Sequence, residues 1–311
     1  MIGGRPGDAV LSIRAAITGI AATRTALFPR PGIPARMTTY WVIANSSSRT
    51  TDEAKIAETC DAVRATGGIV TQQVDLANEP MPPPGTVQLP DIVASLGGDG
   101  TASAVVDRYG TADGPRLLIL PGGTMNLLAA RLHGDDATPA EIIARAAQSG
   151  RTCRLPSVEG PDFRSLVGII AGPASVWADV REDLRAGEIG ALARDIPVAL
   201  RETFAGPTLR LRGREQDHAA LFVDAHADGL HVHDIVAGSV GDLIRHGWAW
   251  LNRDFLGGPT EHIGKARQII IESAEDEIML LADGERLYAG APLPLRWTDC
   301  PARLIATSDG C

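Results

Sequence analysis

Asp91 to Thr101 reads DIVASLGGDGT, and Arg116 to Thr124 reads RLLILPGGT. Each holds an apolar run of strand length that stops on glycines, the pattern of a strand buried on both faces of a parallel sheet. Glycine at such an end lets backbone N–H groups approach a ligand with no Cβ in the way. Open α/β sheets bind ligands outside the carboxyl ends of their strands. The helix that follows GGDGT turns its positive N-terminus toward the same place, which suits an anion. A lone Gly-Asp-Gly is more often a plain turn. The second glycine-rich end, with Pro121 fixing the exit and Gly122, Gly123 and Thr124 lining the same crevice, turns the reading toward a nucleotide site.

The flanking sequence extends this pattern. YWVIAN (Tyr40 to Asn45) reads as a buried strand, Thr51 to Thr66 as a helix, and GIVTQQV as a second strand before a Pro-rich connection at Pro80 to Pro84. A helix predicted from about Ala102 to Tyr109 joins the two glycine-ended strands. The repeated strand–loop–helix order predicts a doubly wound parallel sheet. After Arg151 the texture changes to period-two alternation, as in LRLRGREQDHAALFVDAHADGLHVHDIVAG, which predicts a second, mostly β domain. Helical stretches are expected within it at Val176 to Phe204 and Gly241 to Phe255, before strands resume at ARQIIIES and EIMLLADGE.

Composition narrows the function classes. With 311 residues, 44% of them hydrophobic, the chain has apolar material for one large domain or two modest ones. A net charge of -9 argues against nucleic acid as a partner, since phosphate contacts call for an excess of Lys and Arg. Lys55 and Lys265 are the only lysines, so no P-loop or Schiff-base lysine is hidden elsewhere in the chain, which removes several enzyme classes. Cys60, Cys153, Cys300 and Cys311 lack C-x-x-C spacing, and a reducing cytoplasm is the expected setting. Residues 1–36 read as a poorly structured extension, with Met37 a plausible second start. Their apolar run, Ala15 to Ala22, falls far short of the ~20 residues a membrane span needs.

The unaltered GGDGT at Gly97 to Thr101 and the Gly-Thr-x-Asn element at Gly123, Thr124, Met125 and Asn126 resemble the diacylglycerol kinase catalytic-domain family, which includes sphingosine and ceramide kinases. DAHADGLHVHDIV resembles that family's Asp-Gly-hydrophobic strand, and LADGERLYAGAPLPLRW its Asp-Gly-Glu element, so the likeness covers nearly everything after Met37. It implies a nucleotide-binding α/β domain at 37–152, completed by 288–308, and a β-sandwich domain at 153–287. Between them would lie a cleft for ATP, Mg2+ and a membrane lipid, diacylglycerol or ceramide-like. The Arg-rich, Lys-poor composition and the GTMN variant lean toward ceramide.

Residue by residue, the resemblance implies that Gly97, Gly98, Asp99, Gly100 and Thr101 hold the ATP phosphates, with Asp99 organising phosphate, metal or the incoming hydroxyl. Asn45, Gly123, Thr124 and Asn126 would complete the nucleotide site. Asp283 and Glu285 are the candidate catalytic bases, with the choice left open, and Asp228 with the carbonyls of Ala225 and Leu230 is the candidate cation site. Such an enzyme would be cytoplasmic and peripherally attached to the inner face of the membrane; the sequence does not indicate an oligomeric state.

Three positions depart from the family pattern. Asn45 runs into Ser46, Ser47 and Ser48 instead of Asn-Pro-x-x-Gly, Ala104 stands for a Glu, and Leu127 for an Asp. These departures keep open a lipid-binding regulator without turnover, while GGDGT by itself also fits an NAD kinase with a soluble acceptor. His226, His231, His233 and His246 raise a metal hypothesis, which the sequence ranks below ordinary polar strand positions. In LIRHGWAWLNRDFLGG, Leu243, Ile244, Trp248, Leu251 and Phe255 form an apolar stripe with Arg245, Trp250 and Arg253 off it, a pattern for core packing or a bilayer interface.

Overall fold

The computed structural model describes residues 37–48, 50–85, 88–172, 208–235, 260–283 and 285–308. The extension, both helical stretches of the β domain, the Trp-Arg stripe and His246 lie outside the described residues.

The first half builds a six-stranded sheet on β1 (Thr39–Ala44), β2 (Ile69–Asp75), β3 (Ile92–Gly97) and β4 (Arg116–Pro121), all parallel, in the order β2-β1-β3-β4. Period-two alternation sends Trp41, Ile43, Val93, Leu117 and Ile119 to one face and Tyr40, Ala44, Ala94, Leu96 and Leu118 to the other. On the first face pack α2 (Asp99–Tyr109) and α3 (Leu127–His133), through Val105, Tyr109, Leu128 and Leu132. On the second pack α1 (Glu53–Ala65) and α4 (Pro139–Ser149), through Ile56, Val63, Ile142 and Ile143. Both faces of β1, β3 and β4 are covered, so these strands read as continuous apolar runs, whereas the edge strand β2 is half exposed.

Local chemistry sets the helix ends. The Asp52 carboxylate accepts from the Lys55 amide at 2.8 Å, and Thr138 and Glu141 form a capping box around Pro139. The α2 helix starts at Asp99, three residues before the expected Ala102, with Gly98 as its N-cap. GGDGT therefore runs from the end of β3 at Gly97 through the N-cap Gly98 into the first turn of α2, with no loop between. Asp is favoured there by the helix dipole, and glycine costs little where the backbone is only half committed.

The second half is a sandwich of two six-stranded sheets. One runs β10 (Asp217–His218), β9 (Leu209–Leu211), β14 (Gln268–Ser273), β17 (Leu293–Asp299), β6 (Pro156–Glu159), β7 (Arg164–Ser165). The other runs β13 (Thr260–Ala266), β12 (Gly229–Ile235), β11 (Leu221–His226), β8 (Ile169–Ala171), β15 (Glu277–Ala282), β16 (Glu285–Gly290). Leu211, Ile271, Leu293 and Leu295 of the first meet Ile169, Leu221, Val223, Leu230, Val232 and Leu280 of the second in one core.

The chain then returns to the first domain through β18 (Arg303–Ala306), parallel to β4, with β5 (Arg151–Cys153) antiparallel on its outer edge. The return is shorter than the expected 288–308. β16 and β17 stay in the sandwich because Leu293 and Leu295 are fully buried in its core. Cys60 and Cys300 are buried free thiols, whereas Cys153 is disulfide-bonded, which the lack of C-x-x-C spacing did not foretell. Sequence spacing does not report proximity in space.

Candidate active site

The strand order reverses direction at β1 and β3, and the crevice opens at their carboxyl ends, as the sheet rule requires. Gly98 is extended and supplies no side-chain cap, and the positive end of α2 stands at the crevice, the polarity that suits an anion. The β4 exit lies against it. A Cβ on Gly123 would stand 2.4 Å from the Gly98 Cα, and one on Gly122 would stand 2.7 Å from the Gly97 nitrogen. Backbone thus touches backbone, and only glycine allows it.

Asn126 is held within its own loop. It sits in the left-handed region at φ 54°, and its Oδ1 accepts from the amides of Gly122 at 3.1 Å and Gly123 at 2.7 Å. Its Nδ2 returns a hydrogen bond to the Gly123 carbonyl at 2.8 Å, so Asn126 closes the loop upon itself. Gly123 contributes close approach more than a free donor, and Thr124 is exposed beside it. Asp99 is 9% exposed, and its Oδ1 accepts from the Leu128 amide at 3.1 Å, tying the first turn of α2 to that of α3. Thr51 Oγ1 donates to the Gly122 carbonyl at 2.7 Å. Asn45 Nδ2 donates to Thr101 Oγ1 at 3.4 Å, which brings the end of β1 to the same place. In place of the Asn-Pro turn, the Asp75 carboxylate holds Ser46 by its amide and its hydroxyl.

The two candidate bases part company. Ala282, the last residue of β15, pairs with Glu285, the first of β16, so the chain reverses between them and the two carboxylates do not share one face of a strand. Asp283 is 5% exposed at φ 45°. Its Oδ1 accepts from Ser165 Oγ and from the Val167 amide at 2.9 Å, and its Oδ2 from the Leu166 amide at 3.0 Å and Ser103 Oγ at 3.2 Å. Four donors saturate the group and bind the β7–β8 connection, the hairpin and α2 together. Glu285 lies over Gly100, where a Cβ would come within 2.4 Å of its Oε1. The hairpin therefore delivers one carboxylate to the open N-terminus of α2.

The sequence reading missed the Ser165–Val167 donors, Ser103 and Arg131. Arg131 Nη1 donates to the Leu166 carbonyl, and burial pulls its guanidinium pKa down while Asp224 and Asp283 oppose the fall. Serines and backbone amides carry no motif, so only the fold assembles them.

The Asp228 group does not gather as a cation site. Ala225 and Leu230 pair across the β11–β12 hairpin, but Asp228 Oδ2 accepts from Lys265 Nζ at 2.8 Å and Oδ1 from His231 Nε2 at 2.8 Å. Those bonds, Lys265 first, hold its carboxyl well below the usual range. An incoming Mg2+ would meet an ammonium already in place. Hard oxygen donors suited to Mg2+ are found instead at α2, in Asp99, Thr101, Asn45 and Glu285. On the outward face of β11–β13 the histidines do converge: His231, His233 and His262 bring one ligand atom each within 4.8 Å of the others. Burial pushes the His233 imidazole pKa down, and His262, His231 and His226 push the same way against Asp224.

Among the described residues no helix is long and apolar enough to cross a membrane. The family model for the diacylglycerol kinase catalytic domain matches residues 39–154. Two crystal structures from Bacillus anthracis str. Sterne, named as diacylglycerol kinases, are similar at TM-score 0.60 each. One is 16% identical over 90% of this chain and 98% of its own, the other 17% identical over 87% and 97%. An NAD kinase from Archaeoglobus fulgidus in complex with ATP is more distant, at TM-score 0.48 and 13% identity over 87% of this chain and 94% of its own. No curated protein matches the sequence.

Proposed function

Since residues 39–154 of this chain are a domain of the diacylglycerol kinase catalytic family, we propose that the protein transfers the γ-phosphoryl group of ATP to the hydroxyl of a membrane lipid, a diacylglycerol or a ceramide-like sphingolipid. The observation that carries the proposal is the Glu285 carboxylate against Gly100, at an uncapped helix N-terminus. That arrangement pairs a phosphate cradle with a proton acceptor, the two parts a phosphoryl transfer to an alcohol needs.

In this reading the α2 amides and the Gly98 backbone hold the phosphates, and the Gly123 approach keeps side chains out of their way. Glu285 accepts the proton of the lipid hydroxyl as its oxygen attacks, for a gain of about 10² to 10⁴ in rate. Asp283, saturated by its four donors, positions the hairpin that carries Glu285. Asp99 is the carboxylate that would hold Mg2+, which supplies charge neutralisation at the phosphates when bound, and Glu285 is left as the base. The acceptor would be met at the cytoplasmic face of the membrane, by peripheral contact.

Labelled ATP, Mg2+ and a panel of diacylglycerol, ceramide, sphingosine and NAD, with products separated by chromatography, test the proposal. Label in one of the lipids is the expected outcome. Label in NAD alone would make this a soluble-substrate kinase, and label in none of the four would overturn the assignment.

A further inference from the structure

The outward face of β11–β13 holds a concentration of imidazoles that the phosphoryl transfer does not use. His231 and His233 alternate to the same side of β12, and a register shift between Val232 and His233 sets His262 of β13 opposite His233. Ring centroids lie 5.1 Å apart for His233 and His262, 5.4 Å for His231 and His262, and 4.3 Å for His226 and His231. Asp224 of β11, opposite His231, completes the group.

Two buried atoms in this cluster lack the partner that burial demands. The His233 side chain is 9% exposed and its Nε2 makes no hydrogen bond; Asp224 Oδ1 is likewise buried and unbonded. The two face each other at 3.9 Å, too far for a hydrogen bond and close to the separation of two ligands on one ion. Leaving both unsatisfied is costly, a cost that a shared cation would remove. Zinc–nitrogen bonds of about 2.0–2.1 Å put tetrahedral ligand atoms about 3.3 Å apart. Side-chain rotation of the exposed His262 and of His231 would close most of the 4.8 Å spread. Asp228 takes Nε2 of His231 and leaves the other ring nitrogen for a metal, the arrangement in which a carboxylate orients a ligating imidazole.

We propose that His231, His233 and His262, with Asp224 as the fourth ligand, bind one divalent transition metal of the zinc class. Three imidazoles and one carboxylate suit Zn2+ and its borderline-soft neighbours, whereas Mg2+ prefers oxygen ligands throughout. The ion would cross-link β11, β12 and the edge strand β13. Lys265 is already paired with Asp228, and neither His233 Nε2 nor Asp224 Oδ1 receives a hydrogen bond from an ammonium or guanidinium.

The test uses the full chain without a polyhistidine tag, stripped by chelator and titrated with Zn2+ in a calorimeter. One Zn2+ per chain and a raised thermal midpoint are expected, with no comparable response to Mg2+. His262→Gln, at an exposed edge position, should fold like the stripped wild type and bind Zn2+ at least about 100-fold more weakly. Co2+ should give visible absorption bands in the wild type that the variant loses. Wild-type binding that His262→Gln leaves unchanged, or no one-to-one binding at all, overturns the site. Neither readout depends on phosphoryl transfer.

Discussion

At the residue scale, two acidic residues on either side of Gly284 do different work, and their surroundings decide which does what. Asp283 faces four donors, two of them the backbone amides of Leu166 and Val167. An amide in its place would present N–H groups to donors on one side. Asp283→Asn is therefore expected to lower stability by roughly 2–4 kcal/mol, read as a fall in the urea midpoint; an unchanged midpoint would show that the donors do not hold the carboxylate. Glu285 is exposed, and its stem lies over a glycine in the first turn of α2. The sequence displayed both acids and the turn between them, but not this division, because Ser103 and Ser165–Val167 belong to no motif. Asn126 illustrates the same limit: its place in Gly-Thr-x-Asn suggested a ligand contact, while its left-handed backbone turns the amide back on Gly122 and Gly123.

At the element scale, the parallel strands were legible because burial on both faces writes them as continuous apolar runs, and their glycine ends located the crevice. The start of α2 was not, since Asp-Gly-Thr has weak helix propensity and only tertiary packing of Val105 and Tyr109 commits it. His262 escaped for a different reason. It lies 29 residues from His233 in sequence, and only a bulged register brings them together. α3, which the sequence reading passed over, carries a testable consequence of burial. His133 at its last turn is 2% exposed, its Nδ1 lies 2.9 Å from Thr307 Oγ1 beyond β18, and burial lowers its pKa to about 4. The unfolded chain binds this proton near the ordinary value of 6.5, so the folded state is at full strength above that pH and loses stability as the pH falls to about 4. The loss amounts to roughly 3 kcal/mol. Urea midpoints of the wild type minus those of His133→Gln should shrink across this window, and a difference that does not vary with pH would contradict the account.

At the scale of the whole molecule, the β15–β16 hairpin of the sandwich reaches the N-terminus of α2, and β18 then carries the chain back to β4. The two halves are joined covalently and also by side chains, through Ser103 to Asp283 and Arg131 to Leu166. Change of texture after Arg151 announced the second half, but the shortness of the return strand depends on which apolar residues the sandwich core claims first. The proposed role of this hairpin is to bring a proton acceptor to an ATP phosphate site. It is tested most directly by the turnover number for labelled phosphate transfer from ATP to lipid in mixed micelles, compared between the wild type and Glu285→Gln. The account predicts a fall of roughly two to four orders of magnitude, with ATP affinity and urea midpoint nearly unchanged. A Glu285→Gln enzyme that phosphorylates lipid at the wild-type rate would contradict it.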